Sequence, residues 1–381
     1  MAASILGTAS AVHASHGVPP IQPGTPRTVA DNLLTPLSLE VDRQGIAYLS
    51  QDLAGALTKI TRDGTTTTIA AAVGQSISAV SFRRGTIYFA QTAPDHNSSI
   101  LMAMRGDEEP VRLADIGAYE ATANPDQGNT YGFSDLPESC ADQFDISTMS
   151  SLPPTYSGLI DTNPHASLAL SQSIFVADAG ANAVLRIGYD GDVSVAAVLP
   201  AVDPVAATEE LIARFGFPRC AIGHDYRFEP VPTDVELGPD GWLYVTSMPG
   251  GPVDSGAGAP GSLYKVNPHN GLVVEVDTGF LGATGLAVSM RSGAVAVSEL
   301  FGGPDGAGQI SLLSGDASTR RTYTELDHPI AIELRRNKLY VTTDTGILDP
   351  QTGAPRPVGE LAVLPLEVDR GQLEDSSDNG S

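Results

Sequence analysis

The sequence is poor in cysteine, lysine and aromatic residues, and each shortage excludes a class of protein. The 381 residues include two cysteines, three lysines and one tryptophan, and aromatic residues make up 6% of the chain. Cys140 and Cys220 are too few for a cysteine-ligated metal site, which leaves one disulfide or two free thiols. No apolar run approaches the ~18 residues of a membrane-spanning helix, so we expect no membrane span.

Positive charge is also scarce. The chain has 45 Asp and Glu residues against 21 Lys and Arg residues, which gives a formal net charge of −24 at pH 7. Such a chain is repelled by phosphate backbones, so we expect no nucleic-acid partner and a soluble monomer. The sequence lacks G-x-S-x-G, H-E-x-x-H and P-loop motifs, which excludes the most familiar hydrolase and phosphate-binding sites.

Glycine (40) and proline (28) are plentiful, as in proteins made of short strands and turns. The segment PTDVELGPDGWLYVTS, residues 232–247, reads as two strands around a tight turn. Its second strand recurs as GIAYLSQ, GTIYFAQ, QSIFVAD, GAVAVSE and NKLYVTT, beginning at residues 45, 85, 172, 293 and 337. Because each copy has room for four strands, the repeat predicts an all-β fold, a six-bladed β-propeller.

The two ends of the chain complete this prediction. The last repeat supplies only three strands, so we expect residues 27–31 to add the fourth by pairing beside residues 359–365. The propeller then covers 26–366. Residues 1–25, with Ala9-Ser10-Ala11 resembling a cleavage site, read as a signal remnant or flexible arm, and 367–381 as a disordered acidic tail.

The long insertions fall on one face of the predicted ring. Turns between the first and second strands and between the third and fourth strands are short, whereas residues 116–165 and 199–232 enter the third and fourth blades on the opposite face. Each insert contains one cysteine, so a Cys140–Cys220 disulfide would join the two into a loop and short-helix cap. One helix is predicted within this cap, with Asp203 as its N-cap and Gly216 as its stop.

Polar residues at the strand ends on this face are the candidate ligands. We expect the channel mouth to draw on Asp178, Asp234, Glu299, His165, Gln51 and Gln91. Carboxylates with a histidine and amides suit acid–base chemistry or a divalent cation such as Ca²⁺. The alternative is that these side chains cap strands and bond neighbouring turns.

The segment GHDYRFEP adds a second candidate group, on the cap. Its members either line a pocket as a lid or stiffen a loop: His224, Asp225, Tyr226, Arg227 and Glu229. Tyr131 and Tyr156 could hold a flat ligand or pack inside the loops.

Several longer phrases are similar to one family. FEPVPTDVELGPDGWLYVTSMPGGP, GSLYKVNPHNG, GFLGATGLAVS and VADAGANAVLRI, with one cysteine in each large insert, resemble the ScyD/ScyE proteins, from about Pro26 to Pro365. The resemblance implies an NHL-like β-propeller and a secreted or cell-envelope location. The namesakes of the family are associated with biosynthesis of the pigment scytonemin, and most members have no assigned reaction. No catalytic residues are carried over from the family.

Two functions remain open, and the sequence does not decide whether the protein is an enzyme. The first is binding of a small molecule, a glycan or a protein partner at the capped channel mouth. The second is a metal-assisted enzyme, a lactonase-like hydrolase or a lyase, which the chain resembles in architecture alone. A divalent ion bound at the channel mouth would favour the second.

Overall fold

The computed structural model describes residues 22–145, 153–250, 260–344, 349 and 351–366. Most of the predicted N-terminal arm (1–25) and the whole predicted acidic tail (367–381) lie outside the described residues, so these predictions stay untested.

The first part of the described chain contributes a strand to the last blade and then builds two blades. Strand β1 (Arg27–Leu33) belongs to blade 6. Blade 1 contains β2 (Leu39–Val41), β3 (Ala47–Gln51), β4 (Ala56–Ile60) and β5 (Thr66–Ala71). Blade 2 contains β6 (Ser76–Arg83), β7 (Thr86–Thr92), β8 (Ser99–Arg105) and β9 (Val111–Asp115).

The two inserts flank blade 3. The first insert contains α1 (Ile116–Ala123), β10 (Thr130–Phe133), α2 (Glu138–Ala141) and β11 (Thr155–Ser157). Blade 3 contains β12 (Pro164–Ala169), β13 (Ser173–Asp178), β14 (Ala183–Gly188) and β15 (Val193–Val198). The second insert contains β16 (Val205–Ala206), α3 (Glu209–Phe215) and β17 (Asp225–Arg227).

The remaining chain forms three blades. Blade 4 contains β18 (Pro230–Leu237), β19 (Leu243–Pro249), β20 (Gly261–Val266) and β21 (Val273–Phe280). Blade 5 contains β22 (Ala283–Val288), β23 (Val295–Glu299), β24 (Gln309–Leu313) and β25 (Arg320–Tyr323). Blade 6 contains β26 (Ile332–Arg335), β27 (Lys338–Thr343) and β28 (Gly359–Pro365), followed outward by β1.

The blades form a closed ring around a channel. The first strands of successive blades contact one another in the order β2, β6, β12, β18, β22 and β26, and β26 contacts β2. Among the described residues, each junction between neighbouring blades contains a cluster of buried apolar side chains. These sheets bury both faces, which explains the apolar strands of the repeat. The predicted six-bladed propeller is confirmed.

The ring is closed by the N-terminal strand. Strand β1 pairs antiparallel with β28, with Arg27 opposite Val363 and Leu33 opposite Gly359. The Thr28 hydroxyl also donates to a Glu360 carboxylate oxygen at 2.8 Å. The terminal strand therefore covers the edge that β28 would otherwise expose, as the incomplete last repeat predicted.

The cap has a structure of its own. Strands of the two inserts form a four-stranded sheet in the order β11-β10-β17-β16, which the sequence prediction of loops and a short helix missed. Phe133 of β10 and Tyr226 of β17 pack edge to face at 4.9 Å and belong to an apolar cluster drawn from both inserts. The predicted Cys140–Cys220 disulfide is present, with the two Cα atoms 5.8 Å apart.

The predicted helix is shorter than expected, and two further α-helices are present. Helix α3 begins after Thr208, whose hydroxyl accepts the Leu211 amide at 3.1 Å, and ends at Gly216 as predicted. The prediction of Asp203 as N-cap was wrong, because Val205 and Ala206 form β16 in the cap sheet instead of a first helical turn. Helices α1 and α2 also show that α3 is not the one helix of the chain.

Candidate functional site

The ring has two faces that are named here by their loops. The tight-turn face is formed by the turns between the first and second strands, at residues 42–45, 84–85, 170–172, 238–241, 289–293 and 336–337. The capped face is the opposite one, where both inserts lie.

Asp178 ends β13 on the capped face and is fully buried. Its carboxylate accepts a hydrogen bond from the Thr162 hydroxyl at 2.9 Å and one from the Asn163 amide at 2.7 Å. The amides of Gly180 and Ala181 follow at 3.2 and 3.4 Å. Burial raises the pKa of Asp178 to about 6 despite these donors. Asp178 therefore links the segment before β12 to the turn between β13 and β14.

Asp234 and His165 lie on adjacent inner strands, β18 and β12. The Asp234 carboxylate accepts the Val235 amide at 2.8 Å and the Leu286 amide of blade 5 at 2.7 Å. His165 Nδ1 lies 2.7 Å from the Thr233 carbonyl oxygen. Burial raises the pKa of Asp234 to about 7 and lowers that of His165 to about 4, so the histidine is neutral at pH 7.

Glu299 is fully buried at the end of β23. One carboxylate oxygen accepts the Leu281 amide at 2.7 Å, and the other lies 3.1 Å from an Arg320 nitrogen. Gln309 Nε2 donates to the second oxygen at 3.0 Å, and the Ser311 hydroxyl donates to it as well. The contacts of Glu299 thus lie in blade 5 and in the turn that precedes it.

The two glutamines occupy equivalent strand ends in blades 1 and 2. The Gln51 side chain accepts the Leu34 amide and donates to the Thr58 hydroxyl, both at 2.8 Å. Gln91 is half-buried in β7, opposite Ile77 and Ile100. The contacts of Gln51, Asp178 and Glu299 are those of strand-end caps, and a ligand role for these side chains stays a prediction.

Four of the five cap candidates contact the cap itself. His224 Nδ1 lies 3.1 Å from Asp135 Oδ2, and the Asp225 amide donates to Asp135 Oδ1 at 3.0 Å. Tyr226 is buried in the cap core, and Arg227 pairs with Gly132 in the cap sheet. Tyr131 and Tyr156 are also buried, which matches the packing alternative.

Glu229, the fifth cap candidate, belongs to a group of acidic side chains beneath the cap. We call these residues the under-cap carboxylates: Asp52, Glu120, Asp126, Asp161, Asp178 and Glu229. Burial, with repulsion from Asp126 and Asp161, raises the pKa of Glu229 to about 7. His96 lies among them, with Nδ1 3.1 Å from Asp161 Oδ1, and this hydrogen bond raises its pKa. Except for Asp178 and Glu229, these residues were not predicted from the sequence.

The pKa of Asp234 gives a pH-dependent prediction. An aspartate with a folded-state pKa near 7 binds its proton more tightly than in the unfolded chain, where the pKa is about 3.9. Its ionisation therefore lowers stability progressively between about pH 4 and pH 7. The Asp234→Asn variant should gain on the wild type by on the order of 4 kcal/mol over this range, since the pKa difference is about three units and one unit corresponds to about 1.4 kcal/mol.

Urea unfolding at a series of pH values measures this difference. Asp107→Asn, an exposed aspartate in the β8–β9 turn, is the control and should follow the wild-type profile. Parallel profiles for Asp234→Asn and the wild type would contradict the assignment.

The tight-turn face holds a cavity of about 1090 Å³ to which all six blades contribute. Its inner end is formed by acidic side chains of the first strands, including Glu40, Glu236 and Glu333. Arg335 donates hydrogen bonds to Glu40 and to the Val41 carbonyl. Burial raises the pKa of Glu236 and of Glu333 well above the usual value, which favours their neutral forms.

The outer part of this cavity carries a ring of arginines. Six of them line it, on blades 1, 2, 5 and 6: Arg43, Arg83, Arg84, Arg291, Arg335 and Arg336. Within the described residues, the first four form no ion pair with a carboxylate, and Arg43, Arg84 and Arg291 are exposed. In a chain with a net charge of −24, this concentration of positive charge singles out the mouth.

Two of these arginines occupy unusual backbone positions. Arg84 has a φ of 50° and Arg336 a φ of 55°, in the left-handed region that turns usually fill with Gly or Asn. The segments DRQG, RRG, MRSG and RRN, beginning at residues 42, 83, 290 and 335, belong to the short turns predicted between first and second strands, but the arginine that they share was not recognised as a signal. In four blades, the turn between the first and second strands contains an arginine. This shared feature could have indicated the arginine-lined cavity.

The described residues contain no group of three or more His, Cys, Asp or Glu side chains placed to hold a metal ion. None of the described helices is long and apolar enough to cross a membrane.

Comparisons with known proteins concern the fold. No family model matches the sequence, and no curated protein matches it significantly. Solved structures do match. PQQ-bound aldose sugar dehydrogenase from Streptomyces coelicolor is 12% identical with a TM-score of 0.54, covering 91% of this chain and 100% of that chain.

A structural genomics protein of unknown function from Bacteroides thetaiotaomicron is 10% identical with a TM-score of 0.55, over 92% of this chain and 77% of that chain. Virginiamycin B lyase from Staphylococcus aureus is 12% identical, over 90% and 99% of the two chains, but its TM-score of 0.46 is too low to support an argument. Identities this low establish architecture and not activity. The chain has the fold of a β-propeller.

Proposed function

We propose that this protein is an exported binding propeller of the ScyD/ScyE type that holds an organic anion at the arginine-ringed mouth of its tight-turn face. The observation that carries the proposal is the convergence of six arginines on one cavity of an acidic protein. Guanidinium groups present several N–H donors in a plane and suit carboxylate and phosphate groups.

The charge of the mouth favours an anion. Arg43, Arg84 and Arg291, which have no carboxylate partner among the residues that the structure describes, line the cavity and are exposed. The raised pKa values of Glu236 and Glu333 at the inner end favour neutral forms that would not cancel this positive charge, and a protonated carboxyl group can donate a hydrogen bond. A ligand would therefore place its anionic group at the rim and a hydrogen-bond acceptor towards the glutamates.

The size and the walls of the cavity favour an organic molecule over an inorganic ion. Small-molecule sites usually measure about 300–1,000 Å³, and this cavity of about 1090 Å³ is comparable. Its wall includes Phe82, Leu168, Leu170 and Val288, which give an apolar surface to a carbon skeleton. The ligand class is an organic carboxylate or phosphate of moderate size.

Export is supported by the disulfide between the two inserts, because disulfides persist in oxidising compartments. A glycan or protein partner at the capped mouth remains the sequence-based prediction. So does the metal-assisted enzyme, whose candidate carboxylates Asp178, Asp234 and Glu299 have the contacts described above. The proposed binding site uses none of them.

The proposal is tested with a panel of organic carboxylates and their neutral amide analogues. Thermal unfolding at low salt should identify carboxylates that raise Tm, and titration calorimetry should give their Kd. In the Arg84→Gln/Arg291→Gln double variant, affinity should fall at least about 10-fold, because hydrogen bonds to charged groups contribute about 1.5–3 kcal/mol each. Both residues are exposed, so the variant should fold.

Arg321→Gln is the matched control, since Arg321 is exposed on the outermost strand of blade 5 and far from the mouth in its sheet. Its affinity should equal that of the wild type. Preference for the amide analogues, or unchanged carboxylate binding in the double variant, would refute the proposal.

A further inference from the structure

Glu120 lies in α1, the helix that leads from blade 2 into the cap. Its side chain is fully buried, and neither carboxylate oxygen has a hydrogen-bond partner. Burial, followed by repulsion from Asp178 and Asp126, raises its pKa to about 8. The Asp161 amide opposes this increase but lies outside hydrogen-bonding geometry. A buried carboxyl group without donors is strongly unfavourable unless something absent from the protein chain compensates it.

Three further oxygens in the same region are buried and without partners. They are Asn124 Oδ1, Asp126 Oδ1 and Asn182 Oδ1. The amide nitrogens of the two asparagines are engaged: Asn124 donates to the Gly158 carbonyl at 3.0 Å, and Asn182 donates to Asp126 Oδ2 at 2.8 Å. Each bond fixes the orientation of its side-chain amide. The amide oxygen then points away from the acceptor that the nitrogen contacts.

The four side chains belong to one place in the fold. Asn124 follows Glu120 by one helical turn, and its backbone N–H donates to the backbone carbonyl oxygen of Glu120 at 2.9 Å. Asp126 is bonded to Asn182 in the β13–β14 turn of blade 3 and to the Tyr131 hydroxyl at 2.9 Å. The group therefore joins the first insert to blade 3.

This concentration is not matched elsewhere in the described chain. Of the six buried side-chain polar atoms without a partner among the described residues, five are these oxygens. The sixth is a nitrogen of His328, in the turn before blade 6. A single cation would satisfy these five oxygens together, and two carboxylates, once Glu120 gives up its proton to the ion, supply the charge that balances a divalent ion.

We propose that Glu120, Asn124, Asp126 and Asn182 form an oxygen-only site for Ca²⁺. Calcium takes six to eight oxygen ligands from carboxylates, amides, carbonyls and water, and up to five side-chain oxygens are present here. The absence of nitrogen and sulfur ligands from this set disfavours zinc and copper. The site contains only two acidic residues, and it shares no residue with the channel-mouth set Asp178, Asp234, Glu299 and His165.

The test uses the full chain, stripped with chelator and titrated with Ca²⁺ by calorimetry. A second titration uses Tb³⁺, which replaces Ca²⁺ and is excited by nearby tyrosines; Tyr131 contacts the proposed ligand Asp126. We expect one Ca²⁺ per chain, a Ca²⁺-dependent increase in Tm, and Tb³⁺ luminescence that Ca²⁺ abolishes. No Ca²⁺ binding, or binding of Mg²⁺ with Ca²⁺ excluded, would overturn the proposal.

Single substitutions test whether Ca²⁺ binds at this site. Glu120→Gln keeps the size of the side chain and should weaken Ca²⁺ binding at least about 100-fold, since even outer-shell changes cost 10–100-fold. Glu138→Gln, an exposed glutamate of α2, should bind Ca²⁺ like the wild type. Equal affinities in Glu120→Gln and Glu138→Gln would show that Ca²⁺ binds elsewhere.

Asn182→Asp gives a test of opposite sign that does not rely on lost binding. A third carboxylate should lower Tm in chelator, because like charges are crowded in a buried place, and should enlarge the Ca²⁺-dependent increase in Tm. An increase in Tm no larger than that of the wild type would contradict the site.

Discussion

Replacing Arg320 with alanine should lower the free energy of unfolding by about 3–5 kcal/mol, the usual effect of leaving a buried charge without its partner. Arg320 Nη2 lies 3.1 Å from the carboxylate of fully buried Glu299. The same side chain donates to the Ser311 hydroxyl at 3.0 Å and to the Thr278 carbonyl at 3.1 Å. Its guanidinium also lies 4.0 Å from the centre of the Phe280 ring. All of these contacts are lost together.

The adjacent residue provides the control for this experiment. Arg321 is exposed on the same strand, and Arg321→Ala should change the free energy of unfolding by no more than about 0.5 kcal/mol. Urea unfolding of both variants gives the comparison. Similar effects for the two arginines would show that the Glu299 network contributes little to stability.

Removing the disulfide should affect the cap and spare the ring. The bond joins residues 80 positions apart in sequence, one in each insert, so that the closed loop contains the whole of blade 3. In the Cys140→Ser/Cys220→Ser variant, we expect the cap to lose about 2–5 kcal/mol of stability against local opening. The blades have their own buried clusters between them, which Ile116 and Leu199 join only where the inserts begin, and the cap has a separate cluster.

Hydrogen exchange followed by mass spectrometry separates the two regions. Peptides covering β10, β17 and α3 should exchange faster in the variant, while those covering β13, β19 and β23 keep their protection. Ser139→Ala, beside Cys140, is the control for a change in α2 that leaves the disulfide intact. Loss of protection in blade 5 would show that cap and ring unfold as one unit.

The ring could be predicted from the sequence because its determinants are local. Each blade repeats apolar strands bounded by turn residues, and a turn such as Gly238-Pro239-Asp240-Gly241 fixes the pairing of the strands that flank it. The incomplete last repeat predicted the closure by β1, and one cysteine in each insert predicted the disulfide. Each of these inferences needed only the order of short segments along the chain.

The cap sheet could not be predicted in this way. Its strands contain two to four residues, and Gly132 pairs with Arg227 on the far side of blade 3. Such pairing depends on how the blades bring the inserts together, and no periodic pattern marks strands this short.

The chemistry of the two faces was hidden for a different reason. Whether Glu120 is buried, and whether its oxygens have partners, depends on the packing of α1 where blades 2 and 3 meet. The arginine ring is assembled from single residues in turns of four blades, such as Arg84 and Arg291, while the net charge averages over the whole chain. The sequence shows that each arginine lies in a turn. It does not show that these turns surround one cavity mouth.

The pairing of β1 with β28 sets the order in which the molecule can be completed. Thr28 and Glu360, which are bonded across these strands, are 332 residues apart in sequence. A chain made from its N-terminus has to keep β1 unpaired until the other blades exist, and contacts of such long range form slowly. Until β1 docks, the outer edge of β28 can pair with another copy. We therefore expect ring closure to be a late step of folding and the stage at which assembly errors arise.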